Sequence, residues 1–259
     1  MQQINKRLRE RVGFPLDEAI TLQTLELVLE RMAKTVPFEN TAIIEGRTEA
    51  ISEKYLMEKV IGRQEGGLCF DLNPLLYLFL LENGFQVTMI KGITYDAANK
   101  TWSKTGATHA AILLEENGRR YIVDSGFGAN LPLKPVPLDG EIIQSDNGQF
   151  QIKQEETEYG DYCFFMKLKD KSEEWTLGYA FQSTVAFYDV KDMIEMQKTI
   201  VEHPDSRFNK GPLVSMLTDK GSMVLSQDSF TEWIDGKKHK QDINTEEFSA
   251  IAKERFGLR

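Results

Sequence analysis

The chain has 259 residues, which allows one large domain or two to three small ones. Hydrophobic residues make up 41% and charged residues 27%, a soluble globular composition rather than that of a disordered chain. A formal charge of -9 excludes a general nucleic-acid footprint, which needs clustered Lys and Arg, and an anionic ligand would need a local basic or backbone-amide site.

The amino terminus, Met1-Gln-Gln-Ile-Asn-Lys-Arg-Leu-Arg-Glu-Arg-Val-Gly13, is basic with no apolar run behind it, so no secretory signal is expected. The longest apolar stretch, residues 75–81, is far short of the roughly 20 residues of a bilayer-spanning helix. Only two cysteines occur, Cys69 and Cys163, which argues against a disulfide framework and for a reducing compartment, the cytoplasm by default.

Helical spacing dominates the first part of the chain. Thr21 is placed to cap a segment carrying Leu22, Leu25, Val28, Leu29 and Met32, and Ser52 another carrying Leu56, Met57, Val60 and Ile61. From Phe85 the pattern changes to short β-rich runs at residues 85–95, 109–114, 121–124, 162–168 and 175–181, as in an antiparallel sheet or barrel. Residues 193–201 suit a connecting helix, 203–207 a loop, and 213–225 a hairpin turning at Asp219-Lys-Gly221. A last helix has Asn244 as cap, Glu247 three residues on, Phe248, Ile251 and Phe256 at apolar spacing, and Gly257 as its stop. The basic runs at Arg119-Arg120 and Lys237-Lys238-His239-Lys240 read as solvated turns and strand ends.

Cys69 follows a glycine pair in Glu65-Gly-Gly-Leu-Cys-Phe-Asp-Leu-Asn73 and precedes an apolar helical run. Glycines let the backbone turn sharply there, and a helix N-terminus favours a thiolate, which a free thiol titrating near 8.5 needs. Two starts for that helix are open, because Asn73-Pro74 is a better local cap and first-turn signal than Cys69. A buried core thiol is the competing reading of Cys69.

Of three histidines, His203 and His239 lie in polar or basic surroundings, while His109 opens the apolar run His-Ala-Ala-Ile-Leu-Leu114. Tyr121-Ile-Val-Asp-Ser-Gly-Phe-Gly128 ends a second strand in Asp124, and Glu115-Glu-Asn-Gly-Arg119 between them is a hairpin signal. Antiparallel pairing would bring His109 and Asp124 together, giving a thiol, a base and an orienting acid in the order Cys, His, Asp. Their plain alternatives are a strand-end histidine and a turn-forming aspartate. No Cys/His spacing suits zinc, Gly126-Phe-Gly128 is too short for a dinucleotide fingerprint, and Cys163 in Tyr-Cys-Phe-Phe-Met166 reads as core.

Arg11-Val-Gly-Phe14, Val36-Pro-Phe-Glu-Asn40, Gly66-Gly-Leu-Cys-Phe-Asp-Leu-Asn73, Gly84-Phe-Gln-Val87, Thr108-His109, Tyr121-Ile-Val-Asp-Ser-Gly-Phe-Gly128 and His203-Pro-Asp-Ser-Arg-Phe208 together resemble the ordered landmarks of the arylamine N-acetyltransferases. The resemblance implies an α+β protein with a cysteine-protease-like core, made of an N-terminal helical bundle (residues 1–84) and a central β-barrel (85–190), followed by an α/β lid (191–259). It implies transfer of acetyl from acetyl-CoA to an aromatic amine, hydrazine or hydroxylamine through acetyl-Cys69, while the Cys/His spacing, net charge and short apolar runs above argue against metal, nucleic-acid and membrane partners. Catalytic Cys69, His109 and Asp124, acceptor walls Phe38 and Phe127, and CoA contacts Thr105, Gly106 and Thr218 carry over from the same resemblance.

The chain departs from that pattern at Glu65, where members typically have Arg. If that Arg pairs with the acid matching Glu39, two carboxylates face each other here unless Arg63 substitutes, and a Glu near Cys69 would raise the thiol pKa. Asp71 for Glu and Ser125 for an aliphatic are milder changes. A thiol hydrolase or amidase, or a catalytically impaired ligand-binding homologue, are the alternative functions.

Overall fold

Capping chemistry sets the first helices. In the computed structural model, which describes residues 3–258, Thr21 Oγ1 accepts from Thr24 N–H at 3.2 Å and Thr24 Oγ1 accepts from Thr21 N–H at 2.8 Å. That reciprocal box starts α2 (Leu22–Thr35), which packs on α1 (Gln3–Val12). Met1, Gln2 and Arg259, inside the segment limits expected above, lie outside the described residues.

After β1 (Phe38–Glu39) and α3 (Thr41–Ile44), Ser52 caps α4 (Glu53–Leu56) by accepting from Tyr55 N–H. The expected single α-helix does not continue: Met57–Gly62 is π-helical. The wider turn shifts the phase of the helix face and leaves Lys59, a charged residue, only 2% exposed.

α5 (Cys69–Glu82) starts at Cys69 rather than at Asn73. The reason is Asp71, whose carboxylate accepts from Leu68 N–H at 3.1 Å and so does a capping task that Leu68 cannot. Pro74 stands inside the helix, where it removes one backbone bond. The helix is buried on nearly every side from Cys69 to Leu80, which explains its lack of an amphipathic pattern.

β2 (Gln86–Asp96), β3 (Thr101–Trp102), β4 (His109–Glu116), β5 (Arg119–Val123), β6 (Val136–Pro137), β7 (Ile143–Ser145), β8 (Gly148–Thr157), β9 (Gly160–Leu168) and β10 (Thr176–Phe181) follow. The main antiparallel sheet runs β6-β5-β4-β2-β10-β9-β8-β7, and β6 comes back against β8, so the sheet is nearly closed like a barrel. Ile90, Ile122, Phe150, Phe164, Tyr179 and Phe181 fill it. β4 and β5 turn at Asn117-Gly118, with φ of 53° and 74°, as a tight hairpin of right-handed strands requires. β8 was not foreseen, because Phe150 and Ile152 are its only inward apolar residues in a long polar run.

α6 (Ile194–Glu202) packs into the cluster of α1, α2 and α5 through Met196 and Ile200. β11 (Leu213–Thr218), β12 (Gly221–Ser226), β13 (Ser229–Ile234) and β14 (Lys237–Asp242) form a second sheet in the order β1-β11-β12-β13-β14, covered by α7 (Thr245–Phe256). The expected β11–β12 hairpin is present, whereas β13–β14 was missed: β14 is Lys-Lys-His-Lys-Gln-Asp, exposed throughout and without an apolar residue to mark it. Its lysines line a sheet edge, where charge discourages pairing with another chain. Among the described residues, no helix is long and apolar enough to cross a membrane.

Candidate active site

Cys69 is the first residue of α5, so its side chain stands at the helix end whose leading N–H groups have no partner within the helix. It keeps 5% exposure, and its thiol Sγ lies 3.4 Å from the Thr108 carbonyl oxygen. The preceding glycines are required by close approach. Gly67 N–H donates to Pro37 O at 3.2 Å and Glu39 N–H to Gly67 O at 3.0 Å, and a Cβ on Gly66 would collide with the Pro37 carbonyl. β1 is thereby seated on the turn before the thiol.

The ladder between β4 and β5 pairs Ile112 with Val123. One more step would set Asp124 opposite Ala111, on the same strand face as His109, and the side chains close the gap: His109 Nε2 lies 2.7 Å from Asp124 Oδ2. The Cys69 thiol, bonded to Thr108 O, is one of the two groups that act on the imidazole charge, Asp124 being the other. Burial disfavours the imidazolium, but the Asp124 carboxylate and then the Cys69 thiol outweigh it, raising the His109 pKa to about 10. Burial likewise works against the charged Asp124 carboxylate, yet His109, Asn73 and the Gly126 N–H hold its pKa below the ordinary value.

Asn73 organises this acid. Its Nδ2 donates to Asp124 Oδ1 at 2.9 Å and to Ala110 O at 2.6 Å, while its Oδ1 accepts from the Ser125 N–H at 2.8 Å and the Ser125 hydroxyl at 3.0 Å. Tyr179 OH adds a 3.3 Å bond to Asp124 Oδ2, and Gly126 N–H another at 2.8 Å to Oδ1. A Cβ on Gly126 would stand 2.6 Å from Cys69 Cα, so only glycine lets this loop approach the thiol. Sequence reasoning missed Asn73 and Tyr179. Asn73 had a signal, lying four residues after Cys69 on one helix face, and Tyr179 had none.

Phe127 packs with its ring centroid 4.9 Å from that of His109. Phe38 lies edge-on to Phe208 at 5.8 Å and next to Gly128. Thr105 and Gly106 belong to the turn leading into His109: the Thr105 hydroxyl bonds those of Ser103 and Thr108, each at 2.8 Å, and Thr108 N–H donates to Gly106 O at 2.8 Å. Thr218 stands apart, ending β11 and lining a surface depression with Lys34, Lys171 and Trp233 that includes none of Cys69, His109 or Asp124. Cys163 is free and buried in β9, where burial, then Glu155, pushes its thiol up to about 11. Among the described residues, no group of three or more His, Cys, Asp or Glu side chains is placed to hold a metal ion.

The charge expected to be missing near Glu39 comes from elsewhere. Glu39 Oε1 accepts from Lys59 Nζ at 2.9 Å, not from Arg63. Arg63 pairs instead with Glu65 at 3.2 Å, as does Arg47 at 3.2 Å, so Glu65 faces two guanidinium groups rather than Glu39. The second carboxylate near Glu39 is Asp71, whose Oδ2 is 3.5 Å from Lys59 Nζ. A lysine inside an apolar helical run gave no sequence signal for this.

Fold and site together define a class: a thiol, an imidazole and a carboxylate gathered where a helical cluster meets a nearly closed sheet. Residues 21–259 match the profile of the N-acetyltransferase family. YvcN of Bacillus subtilis, described as an uncharacterized acetyltransferase, is 41% identical over 240 residues, covering 92% of each chain. Arylamine N-acetyltransferase C of Bacillus anthracis superposes with a TM-score of 0.94 at 36% identity over 100% of both chains. An arylamine N-acetyltransferase of Bacillus cereus, described as having a unique Cys-His-Glu catalytic triad, gives 0.94 at 37% identity over 100% of this chain and 99% of its own. The chain belongs to the arylamine N-acetyltransferase family and is an acetyltransferase. The acid bonded to His109 in this chain is an aspartate, Asp124.

Proposed function

We propose that the chain transfers acetyl from acetyl-CoA to small aromatic amines, hydrazines or hydroxylamines by double displacement through acetyl-Cys69. The observation that carries this reading is the buried series of Cys69 thiol, His109 imidazole and Asp124 carboxylate, with its 2.7 Å bond between the last two. The imidazole takes the thiol proton, and the Cys69 sulfur attacks the thioester carbonyl. The carbon–sulfur bond to CoA breaks, and CoA leaves with the proton held by His109. The amine nitrogen then attacks the acetyl-Cys69 carbonyl, gives its proton to His109, and the Cys69 sulfur departs.

One thioester is exchanged for another in the first half, so little driving force is needed. Backbone N–H groups at the start of α5, that of Cys69 among them, are proposed to receive the oxyanion of each half. Phe38 and Phe127 are proposed as flat walls for the acceptor, and Thr105, Gly106 and Thr218 as contacts for CoA. In this reading residues 191–259 act as the lid of a cytoplasmic enzyme of xenobiotic metabolism.

Intact mass after mixing with acetyl-CoA tests the nucleophile. The wild type and Cys163→Ser should each gain one acetyl group and Cys69→Ser none. Acetylation that survives in Cys69→Ser would overturn the reading.

A further inference from the structure

β1, the turn before Cys69 and the first turn of α5 meet at one buried ammonium. Lys59, in the π-helical turn, is 2% exposed, and its Nζ lies 2.9 Å from Glu39 Oε1, 2.5 Å from the Gly66 carbonyl oxygen and 3.5 Å from Asp71 Oδ2. Each contact bears on a different part of the site. Gly66 O belongs to the turn before Cys69. Asp71 Oδ2 holds the Leu68 N–H at 3.1 Å and so fixes where α5 begins. Glu39 Oε2 accepts from Thr41 N–H at 2.6 Å and from the Thr41 hydroxyl, which anchors β1 and with it Phe38.

We propose that Lys59 is a positioning residue for acyl transfer, its ammonium locking the turn before Cys69 and the Phe38 strand into a single register. This rests on the acyl-transfer reading of Cys69. The competing role is charge compensation alone, in which Lys59 serves only to neutralise Glu39 and Asp71. Geometry separates the two. A counter-ion needs carboxylates near it, whereas the 2.5 Å bond to Gly66 O neutralises nothing and reaches the backbone that aims the thiol. Small displacements there are costly, since a shift of about 1 Å in a reacting group lowers a rate by as much as about 100-fold.

The test uses Lys59→Met and the double variant Lys59→Met with Glu39→Gln. The single variant strands buried carboxylates and should lose thermal stability. The double variant neutralises Glu39, while Asp71, which burial already pushes towards the neutral acid, takes up a proton; its thermal midpoint should recover much of the loss. The deciding readout is the second-order rate of Cys69 alkylation by iodoacetamide, measured well below each variant's own midpoint. Positioning predicts that the folded double variant stays about tenfold or more below the wild type. A rate within about twofold of the wild type in the folded double variant reduces Lys59 to charge compensation and overturns the proposal. Alkylation needs no acetyl donor, so a wild type that fails to take acetyl from acetyl-CoA would count against the transfer reading and not against this one.

Discussion

Asp124, 2.7 Å away, favours the protonated form of the buried His109 over the neutral one, and Asp124 keeps its charge because Asn73 and Gly126 also bond it. Removing the charge while keeping the shape tests that coupling. With Asp124→Asn, iodoacetamide alkylation of Cys69 at pH 7 should fall about tenfold or more, converging with the wild type above the ordinary thiol pKa of about 8.5. The stability consequence has a definite sign. The folded pKa of His109 is raised from 6.5 to about 10, so the linked stability is complete below 6.5 and disappears as pH rises through 10. The stability gap between wild type and Asp124→Asn should therefore narrow over that window, as read from denaturant midpoints. Unchanged alkylation would remove Asp124 from thiol activation. These three side chains were legible in the sequence because Cys and His are scarce and the hairpin between His109 and Asp124 is marked by Asn117-Gly118. Lys59 and Tyr179 were not, because their partners come from segments that only the fold brings near.

The capped helices α2 and α7 were read correctly, and features specified by tertiary packing were not, the π-helical turn after the Ser52 cap among them. Thr21 and Asn244 mark α2 and α7 by local hydrogen bonds that need no other part of the chain. The start of α5 instead depends on Asp71 bonding Leu68, and the π-helical turn depends on the buried site that receives Lys59. β14 has no inward apolar residue, so its place follows only from its pairing with β13. α7 offers a test confined to one element. Asn244 Oδ1 accepts from Glu246 N–H at 2.9 Å and Glu247 N–H at 3.0 Å, and Glu247 Oε2 accepts from Asn244 N–H at 2.8 Å. Asn244→Ala should cost about 1 kcal/mol, lowering the thermal midpoint by about 2–4 °C. α7 packs on Leu225 and Phe230, away from Cys69, so acetyl-transfer efficiency should stay within about twofold. A large loss of activity at unchanged stability would show that α7 communicates with the thiol.

The molecule holds its site where two cores meet a loop. The helical cluster supplies Cys69 and Asn73, the barrel-like sheet supplies His109 and Tyr179, and the loop after β5 supplies Asp124. β1 belongs by sequence to the helical part yet pairs with β11, Phe38 opposite Ser215, which ties the second sheet to the turn before the thiol. This arrangement excludes most water from the triad, whose members are 5%, 3% and 1% exposed. An acetyl group on Cys69 should then wait for an amine rather than hydrolyse. The most direct test isolates the acetylated protein free of excess acetyl-CoA and mixes it rapidly with an arylamine. The account predicts stoichiometric N-acetylarylamine, formed at least as fast as steady-state turnover, and a much slower loss of acetyl in buffer alone. Loss to water at the same rate with and without the amine, or amine acetylation slower than turnover, would contradict it.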